Sequence, residues 1–245
     1  LEEARKGSGK KEDAQLSQWA IVFSSPKNPE DAVKLALSEE VALLLNKVGD
    51  KSAATVHPLK FFVEVERKKA LFSTWYELFP RSASLTPGKH GTFKDVEKLL
   101  PRIAEMGFDV LYLPPIHPIG KTNRKGRGNT VIAHEGDPGS PWAIGGDEGG
   151  HMAVEPGLGT LEDFRWFRQQ AEQHGLEIAL DIAYQVSPDH PYAKEHPDWF
   201  RQRPDGTLKY AENPPKKYQD IYPFDFETDD WPALWVELRN VVLFW

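Results

Sequence analysis

The spacing of apolar residues changes along the chain, and the change falls near Leu71. Between residues 29 and 46 apolar residues recur at helical spacing, and a break near Ser38 predicts either one helix or two short ones. Residues 1–20 are polar and charged, which indicates a frayed start or a loop. The run Lys60–Glu66 is rich in Phe and Val, so we expect a strand there.

Short apolar runs alternate with helical patterns in the rest of the chain. The runs that predict strands are Leu71–Phe79, Asp109–Leu113 and Leu176–Ala183. The helical patterns run from Thr92 to Gly107 with a kink or a late start at Pro101, and from Thr160 to Gly175. A third runs from Asp229 or Asp230 along the apolar positions Leu234, Leu238, Val241, Val242 and Trp245. Because each strand is followed by a helix, the pattern predicts parallel β/α architecture.

Two long loops interrupt this alternation. A Gly-rich loop runs from His117 to Gly159, and a Pro-rich loop of about 45 residues follows the third strand. Both loops follow the carboxyl ends of strands, which is the face of a (β/α) barrel where chemistry is built. A (β/α)₈ barrel needs about 250 residues, and only three β/α units are present. We therefore expect this chain to be a fragment of a larger enzyme.

Charge and cysteine content limit the classes of partner. The 245 residues carry a formal net charge of −7 and include no cysteine. The acidic balance argues against nucleic acid and anionic membranes as partners, and the chain offers neither disulfides nor thiolate metal sites. No apolar run approaches the roughly 20 residues of a membrane span. We expect a cytoplasmic protein with no cofactor and no metal.

The segment Asn213–Asp220, with the sequence Asn-Pro-Pro-Lys-Lys-Tyr-Gln-Asp, is the strongest candidate for ligand binding. Its two prolines pre-order the backbone and lower the entropy cost of holding a ligand. Lys216 and Lys217 offer positive charge to a phosphate, while Tyr218 and the amide of Asn213 offer neutral donors. Adjacent lysines seldom point the same way, so one of the two is expected to contact the anion. The alternative is a stiff polar surface turn.

Other polar residues follow the second and third predicted strands. Asp181, at the end of the third strand, is either a carboxylate in the mouth of a barrel or a buried structural acid. Gln185 suits sugar hydroxyls because its amide both donates and accepts, and its alternative is loop surface. Lys121–Arg127 carries four cations, which indicates either a solvated basic loop or one lysine that reaches into a site.

Histidines and glycines of the first long loop give weaker signals. His117 and His151 have no partner at metal-ligand spacing, so hydrogen-bonded structural roles are favoured over metal binding. Gly145–Gly150 lacks the Gly-Lys-Ser/Thr ending of a phosphate-binding P-loop, so we do not predict a nucleotide site there.

Four segments together resemble one known family. They are Phe72–Ser82, Gly120–Arg127, Asp181–Pro191 and Ala211–Tyr222. They are similar to the bacterial α-1,4-glucan:maltose-1-phosphate maltosyltransferases of the α-amylase superfamily. The resemblance implies an α/β fold with a partial (β/α)₈ TIM barrel, its first three β/α units, over residues 71–245, and with 186–228 as a small domain after the third strand. It also implies a dimer-forming helical insertion at 1–56 and the last part of an N-terminal β-sandwich at 57–70, with Lys60–Glu66 as a late strand.

The resemblance further implies a function and a set of binding residues. The reaction would be a retaining transfer of maltosyl units from maltose 1-phosphate to the non-reducing end of α-1,4-glucans, with release of phosphate, by a homodimer in glycogen or α-glucan synthesis. By motif, the maltosyl group would be bound by Lys125, Gln185 and Asp220, and the phosphate by Asn213, Lys216 and Tyr218. Asp181 would structure the site. Gln185-Val186 stands where amylases carry Asn-His, a departure that favours the transferase over an amylase.

The resemblance places the catalytic carboxylates outside this chain. The family's nucleophilic Asp and acid/base Glu follow the fourth and fifth barrel strands, so both are expected beyond Trp245. Retaining chemistry needs both groups, and the segment alone is therefore expected to be inactive. Two alternatives stay open: a hydrolase or trehalose-forming isomerase of the same superfamily, and a non-catalytic glucan-binding fragment.

Overall fold

The computed structural model describes residues 9–52, 54–55 and 57–245. These residues divide into two compact units, one ending at Val65 and the other running from Glu66 to Trp245. Within the described residues, no helix is long and apolar enough to cross a membrane. The part of the predicted polar start that covers residues 1–8 lies outside the described residues.

The described residues of the first unit form three helices. Their bounds are Lys10–Ser24 (α1), Pro29–Ala36 (α2) and Glu39–Val48 (α3). The prediction of a break near Ser38 is confirmed, because the Ser38 hydroxyl accepts a hydrogen bond from the backbone N–H of Val41 and so caps α3. The prediction of a frayed start or loop is wrong from residue 10 onward. Leu16 and Trp19 lie one turn apart in α1 and are buried with Val41. The packing of these side chains stabilises a helix that the polar composition of the segment does not predict.

The strand predicted over Lys60–Glu66 is wrong. These residues have no regular secondary structure, and the side chains of Phe61, Phe62 and Val63 are 75%, 93% and 85% exposed. A strand depends on hydrogen bonds from a neighbouring strand, and in the described part of the chain none pairs with this run. Apolar β-branched composition alone does not produce a strand.

The second unit is built on a three-stranded parallel sheet in the order β1-β2-β3. The strands are Trp75–Glu77 (β1), Val110–Leu113 (β2) and Glu177–Leu180 (β3). The predicted parallel arrangement is confirmed, although each strand is shorter than its apolar run. The run predicted from Leu71 begins instead as the end of a short helix, α4, at Lys68–Leu71.

The helices between these strands begin and end close to their sequence signals. They are Phe93–Glu97 (α5), Leu100–Glu105 (α6) and Leu161–Gln173 (α7). Capping boxes start α5 at Thr92 and α7 at Thr160. Of the kink or late start expected at Pro101, the late start is found, because α6 begins at Leu100 after a break that follows α5 and Pro101 lies in its first turn. The three helices and the sheet share one core, in which Phe93 stacks on Phe167 with ring centroids 5.7 Å apart.

The segment after β3 folds into a small layer with its own core. Its elements are Gln185–Val186 (β4), Pro191–Glu195 (α8), Ala211–Asn213 (β5), Lys216–Tyr218 (β6), Tyr222–Pro223 (β7) and Trp231–Phe244 (α9). Short 3₁₀ turns lie at Pro80–Ser82, Arg127–Asn129 and Pro197–Trp199. β4 pairs with β7 and β5 pairs with β6, both antiparallel. Leu234 and Leu238 of α9 pack into this core, whereas Val242, predicted on the same face, is 48% exposed, because only one side of α9 has core to pack against.

Candidate ligand-binding site

A cleft of about 700 Å³ lies where loops from all three parallel strands meet. The loop after β1 contributes Phe79 and Arg81, and the loop after β2 contributes residues 125–129 and 138–142. The segment after β3 contributes Gln185, Ala211, Tyr218, Asp220 and Ile221. The carboxyl ends of parallel strands share one edge of the sheet, which is where α/β proteins bind ligands. Of the residues singled out from the sequence, Lys125, Gln185, Tyr218 and Asp220 line the cleft, while Asn213, Lys216 and Asp181 do not.

Lys125 and Asp220 form a buried pair in the cleft. Lys125 Nζ lies 3.6 Å from Asp220 Oδ1, and the two side chains are 7% and 2% exposed. This separation is too long for a hydrogen bond, and Asp220 Oδ1 is buried without a hydrogen-bond partner. Burial raises the pKa of Asp220, although its own backbone N–H and the Lys125 charge act in the opposite direction. An unsatisfied buried carboxylate oxygen is costly, so the pair is suited to a ligand that donates to it.

The wall of the cleft beside this pair is formed by Trp142. Gln185 Nε2 donates to the backbone carbonyl of Trp142 at 3.2 Å, and Trp142 Nε1 donates to Asp181 Oδ2 at 2.9 Å. Burial, followed by the Asp181 carboxylate, raises the pKa of Tyr112 to about 12. Asp181 therefore lies behind the wall and holds it, and it does not line the cleft.

The pairing register of the β5–β6 hairpin determines which of its two lysines lies on the same face as the cleft. Asn213 pairs with Lys216, and Ala211 pairs with Tyr218. Successive side chains of a strand point to opposite faces, whereas paired residues share a face. Asn213, Lys216 and Tyr218 therefore share the face whose inner end, Ala211 and Tyr218, lines the cleft. Lys217 lies on the opposite face, although both lysines are exposed.

The basic loop after β2 is fixed so that only one of its lysines enters the cleft. The Arg124 guanidinium donates to four backbone carbonyls, those of Ile119, Gly120, Asp137 and Pro138. Lys121 pairs with Asp147 at 2.9 Å on the surface. Asn123 Nδ2 donates to the carbonyl of Gln219 at 3.2 Å, which ties the loop to the segment that carries Asp220. The interpretation in which one lysine of this loop reaches into a cleft therefore applies to Lys125.

The charge of the cleft differs in sign from that of the whole chain. Its lining contains three cations, Arg81, Lys125 and Arg127, and one carboxylate, Asp220, whereas the chain carries −7. Arg81 Nη1 donates to the carbonyl of Gly139 at 2.8 Å, and burial, followed by the charge of Arg124, lowers the pKa of Arg81. A cleft lined in this way attracts an anion.

Three buried histidines lie behind the site, and His190 was missed in the sequence. The backbone N–H of Tyr192 donates to His190 Nδ1 at 3.0 Å, so neutral His190 carries its proton on Nε2. That nitrogen lies 3.2 Å from His151 Nδ1, and His151 Nε2 lies 2.8 Å from the carbonyl of Ala183. In both rings Nδ1 accepts a hydrogen bond and Nε2 donates one, so both histidines carry their proton on Nε2. Sequence spacing gave no signal, because 39 residues separate the two rings.

The histidines are neutral structural groups. His117, His151 and His190 are each 1% exposed. Burial lowers the pKa of all three, to about 4 for His117 and about 3 for His190. His117 Nδ1 lies 3.1 Å from the carbonyl of Ala153, while its Nε2 is buried without a partner. In the described part of the chain, no group of three or more potential ligands could hold a metal ion.

The glycines of Gly145–Gly150 allow this loop to close on the His190 ring. A Cβ at either Gly145 or Gly150 would overlap the imidazole. The glycines therefore serve packing, which agrees with the sequence interpretation that they do not form a P-loop.

We expect Gly145→Ala to destabilise the protein by about 2 kcal/mol more than Gly136→Ala. Both glycines have positive φ, 103° and 82°, so both substitutions carry a similar backbone penalty. A Cβ at Gly136 meets nothing within 4 Å, whereas one at Gly145 strikes His190, and overpacking of this kind costs roughly 1–3 kcal/mol. Urea unfolding of the two variants measures the difference. Equal losses would show that His190 moves aside without cost.

The chain is similar over most of its length to known maltosyltransferases. It is 56% identical over 236 residues to the α-1,4-glucan:maltose-1-phosphate maltosyltransferase of Chlorobaculum tepidum, which covers 96% of this chain and 35% of that protein. It is 63% identical over 202 residues to the enzyme of the same name from Methylacidiphilum infernorum, covering 82% of this chain and 30% of that protein. The chain thus spans about a third of the length of these curated relatives. No family model matches it.

Solved structures of α-amylases share its fold. An α-amylase from Lactobacillus plantarum superposes with a TM-score of 0.57 at 33% identity, over 71% of this chain and 36% of that one. A maltogenic α-amylase from Thermotoga neapolitana gives 0.53 at 27% identity, over 71% and 36%. The chain therefore belongs to the α-1,4-glucan:maltose-1-phosphate maltosyltransferase family of the α-amylase superfamily.

Proposed function

We propose that this chain supplies the donor-binding part of a retaining enzyme that transfers maltosyl units from maltose 1-phosphate to the non-reducing end of α-1,4-glucans and releases phosphate. The observation that carries the proposal is the buried Lys125–Asp220 pair, with its open acceptor oxygen, in a cleft lined by three cations. A glycosyl phosphate presents both hydroxyls and an anion to such a cleft. The relatives described above bear the name of this reaction.

The maltosyl group is assigned to Lys125, Gln185 and Asp220. A sugar hydroxyl both donates and accepts hydrogen bonds. Asp220 Oδ1 accepts from one hydroxyl, Lys125 Nζ donates to its oxygen or to a neighbouring one, and each contact satisfies a group that is buried. Gln185 uses Nε2 on the Trp142 carbonyl, so its amide oxygen is the atom it offers to the ligand.

The phosphate is assigned to Asn213, Lys216 and Tyr218. Pairing of β5 with β6 puts these three side chains on the hairpin face that continues outward from the cleft. They combine one charge with an amide and a phenol, the donor types that suit phosphate oxygens. The phosphate then lies toward the hairpin tip and the sugar lies toward the Lys125–Asp220 pair.

The architecture assigned to the intact enzyme extends the described sheet. β1, β2 and β3 are taken as the first three strands of a (β/α)₈ barrel over residues 71–245, with 186–228 as the small domain after the third strand. Residues 1–56 are assigned to a helical insertion that contributes to a homodimer acting in cytoplasmic glycogen or α-glucan synthesis. The assignment of residues 57–70 to the last part of an N-terminal β-sandwich stays a prediction.

The bond-breaking carboxylates are assigned to later strands of the same barrel. A retaining enzyme uses two carboxyl groups about 5–5.5 Å apart, and the cleft lining described here contains one carboxylate, Asp220. Asp220 is assigned to contacts with Lys125 and the sugar, so it is not one of the two catalytic carboxyl groups. The chain by itself binds donor and does not cleave it.

Assays of the intact enzyme and of residues 1–245 test this function. With maltose 1-phosphate and a maltooligosaccharide acceptor, the intact enzyme is expected to release inorganic phosphate and lengthen the acceptor by two glucose units, while residues 1–245 do neither. Reducing sugar from starch without phosphate release would indicate a hydrolase, and trehalose from maltose would indicate an isomerase. Binding of glucans with no turnover of any substrate would indicate a non-catalytic protein. Transfer by residues 1–245 would contradict the assignment of the carboxylates.

A further inference from the structure

We propose that Asp189 is a positioning residue, which fixes the loop that carries Lys125 in place relative to the strand that carries Gln185. The proposal rests on the proposed function, in which Lys125 and Gln185 both bind the maltosyl group. Asp189 does not line the cleft, and neither the maltosyl assignment nor the phosphate assignment includes it. The contacts of its carboxylate carry the proposal.

The carboxylate of Asp189 accepts three hydrogen bonds from the start of the basic loop. Its Oδ2 atom accepts the backbone N–H groups of Lys121 and Thr122 at 2.6 and 2.7 Å, and its Oδ1 atom accepts the Thr122 hydroxyl at 2.6 Å. Burial acts to raise the pKa of Asp189, but the hydrogen bonds from Thr122 and Lys121 outweigh it and lower the pKa. The carboxylate therefore binds the loop backbone, while the ammonium of Lys121 pairs with Asp147.

These bonds hold the turn that leads into Lys125. The backbone N–H of Arg124 donates to the carbonyl of Lys121 at 3.3 Å, and Asn123 adopts a left-handed φ of 55°. The guanidinium of Arg124 is held by the four carbonyls described above. Asp189 thus fixes the entry of the turn and Arg124 fixes its exit, and Lys125 follows directly.

Asp189 is also tied to the strand that carries Gln185. It follows β4, which begins at Gln185, and its backbone N–H donates to Ser187 Oγ at 3.1 Å. The backbone N–H of Ser187 donates to the carbonyl of Ile144 at 2.6 Å. Gly120 allows the two segments to approach, because a Cβ there would lie 2.4 Å from the Cβ of Ser187. One short segment therefore connects the Lys125 loop to the Gln185 strand.

Two residues on different loops can bind one sugar well only if their separation is fixed before the sugar arrives. Lys121 and Thr122 are exposed, so water can replace the Asp189 carboxylate without unfolding the protein. The loop would then have to be ordered at each binding event, which costs affinity. Because Asp189 acts on a residue assigned to the sugar, its loss weakens maltose and maltose 1-phosphate by the same factor.

Calorimetric titration of the intact enzyme with maltose and with maltose 1-phosphate tests the proposal. Asp189→Ala is expected to weaken both ligands about tenfold, which is about 1.4 kcal/mol, and Thr122→Val, which removes one of the three bonds, about threefold. Asp189→Asn is expected to retain nearly full affinity, because its amide oxygen can accept both N–H groups and its NH₂ group can donate to the Thr122 hydroxyl. Unchanged affinities in Asp189→Ala and Thr122→Val, or losses confined to maltose 1-phosphate, would overturn the proposal.

Asp147→Asn is the matched control. Asp147 is also an acid that contacts this loop, but it does so through the exposed side chain of Lys121, at 2.9 Å. Exposed ion pairs contribute little, so this variant is expected to bind both ligands as the wild type does. A loss equal to that of Asp189→Ala would mean that negative charge near the loop, and not contact with its backbone, sets the affinity.

A double-mutant cycle with Lys125→Met separates positioning of Lys125 from a general structural role. If Asp189 acts through Lys125, Asp189→Ala lowers kcat/KM for maltose 1-phosphate less in the Lys125→Met background than in the wild type. A general structural role predicts equal losses in both backgrounds, and that result would overturn the proposal.

Hydrogen exchange separates this proposal from the proposed function. The backbone amides of Lys121 and Thr122 are expected to exchange faster in Asp189→Ala than in the wild type, whether or not the enzyme is active. Faster exchange and weaker maltose binding in an enzyme that shows no transfer from maltose 1-phosphate would refute the function and leave the positioning role standing. Normal transfer, with unchanged exchange and maltose affinity in Asp189→Ala, would do the reverse.

Discussion

Replacing Lys216 by Ala is expected to weaken binding of maltose 1-phosphate to the intact enzyme about 30-fold and binding of maltose less than threefold. Lys216 shares the cleft-facing side of the β5–β6 hairpin with Tyr218, and the proposed function assigns its ammonium to the phosphate and not to the sugar. A hydrogen bond to a charged group contributes about 1.5–3 kcal/mol, and the solvent exposure of Lys216 in the free protein places it below the top of that range. Calorimetric titration with the two ligands measures both losses.

Lys217→Ala is the matched control for this prediction. Lys217 has the same charge, lies next in sequence and is also exposed, but its side chain points to the opposite face of the hairpin. Removing it lowers the general positive charge around the cleft as much as removing Lys216 does. The expected loss for Lys217→Ala is therefore small and equal for the two ligands. Similar losses for both lysines would mean that charge alone, and not contact, selects the donor.

The residue pattern identifies the hairpin, and the family resemblance singles out Lys216 within it, but neither gives the geometric reason. Asn213, Lys216 and Tyr218 are recognisable as phosphate-binding residue types, yet their common face depends on the pairing of Asn213 with Lys216, a register that adjacent letters do not encode. Lys125 shows the same limit. By composition it was one of four cations in a basic loop, and the resemblance singled it out. The contacts of Arg124 with four carbonyls explain why Arg124 stays out of the cleft, which Lys125 and Arg127 line.

Local signals were accurate where local physics decides the structure. The Thr92 and Thr160 capping boxes and the break at Pro101 depend on atoms within one helical turn, and each is found where the sequence predicts it. Strand Lys60–Glu66 failed because a strand is completed by a partner elsewhere in the chain. The Trp142–Asp181 and His151–His190 contacts each join residues 39 positions apart, so composition and periodicity contain no trace of them.

Lowering the pH from 6.5 to 4 is expected to remove several kcal/mol from the free energy of unfolding. Burial lowers the pKa of His117 to about 4 and that of His190 to about 3, and it also lowers the pKa of His151, whereas an unfolded histidine titrates near about 6.5. Between these values the unfolded state binds more protons, so stability falls as the pH falls. The contribution is complete above pH 6.5, and His117 alone accounts for roughly 3 kcal/mol of the loss.

Carboxylates change the free energy of unfolding mainly at lower pH than the histidines do. A hydrogen bond from Lys98, followed by one from Thr92, lowers the pKa of Asp95, and hydrogen bonds from Thr160 lower that of Asp163. The stabilisation from these two carboxylates is therefore lost only as the pH falls below about 4. Burial raises the pKa of Asp220, so this group makes stability rise as the pH falls, opposite to the histidines. It is a single group, whereas three histidines act in the other direction. Urea unfolding at several values between pH 4 and pH 7 therefore reports chiefly on the histidines.

His117→Asn provides the variant that assigns this slope. An Asn amide at this position can donate to the Ala153 carbonyl as His117 Nδ1 does, and it neither titrates nor carries the partnerless Nε2 atom. The dependence of stability on pH between 4 and 6.5 is expected to decrease by about one proton in the variant, whatever its stability at pH 7. An identical slope in wild type and variant would show that His117 is protonated as readily in the folded protein as in the unfolded one. The dependence of stability on pH between 4 and 6.5 would then have to come from His151 and His190.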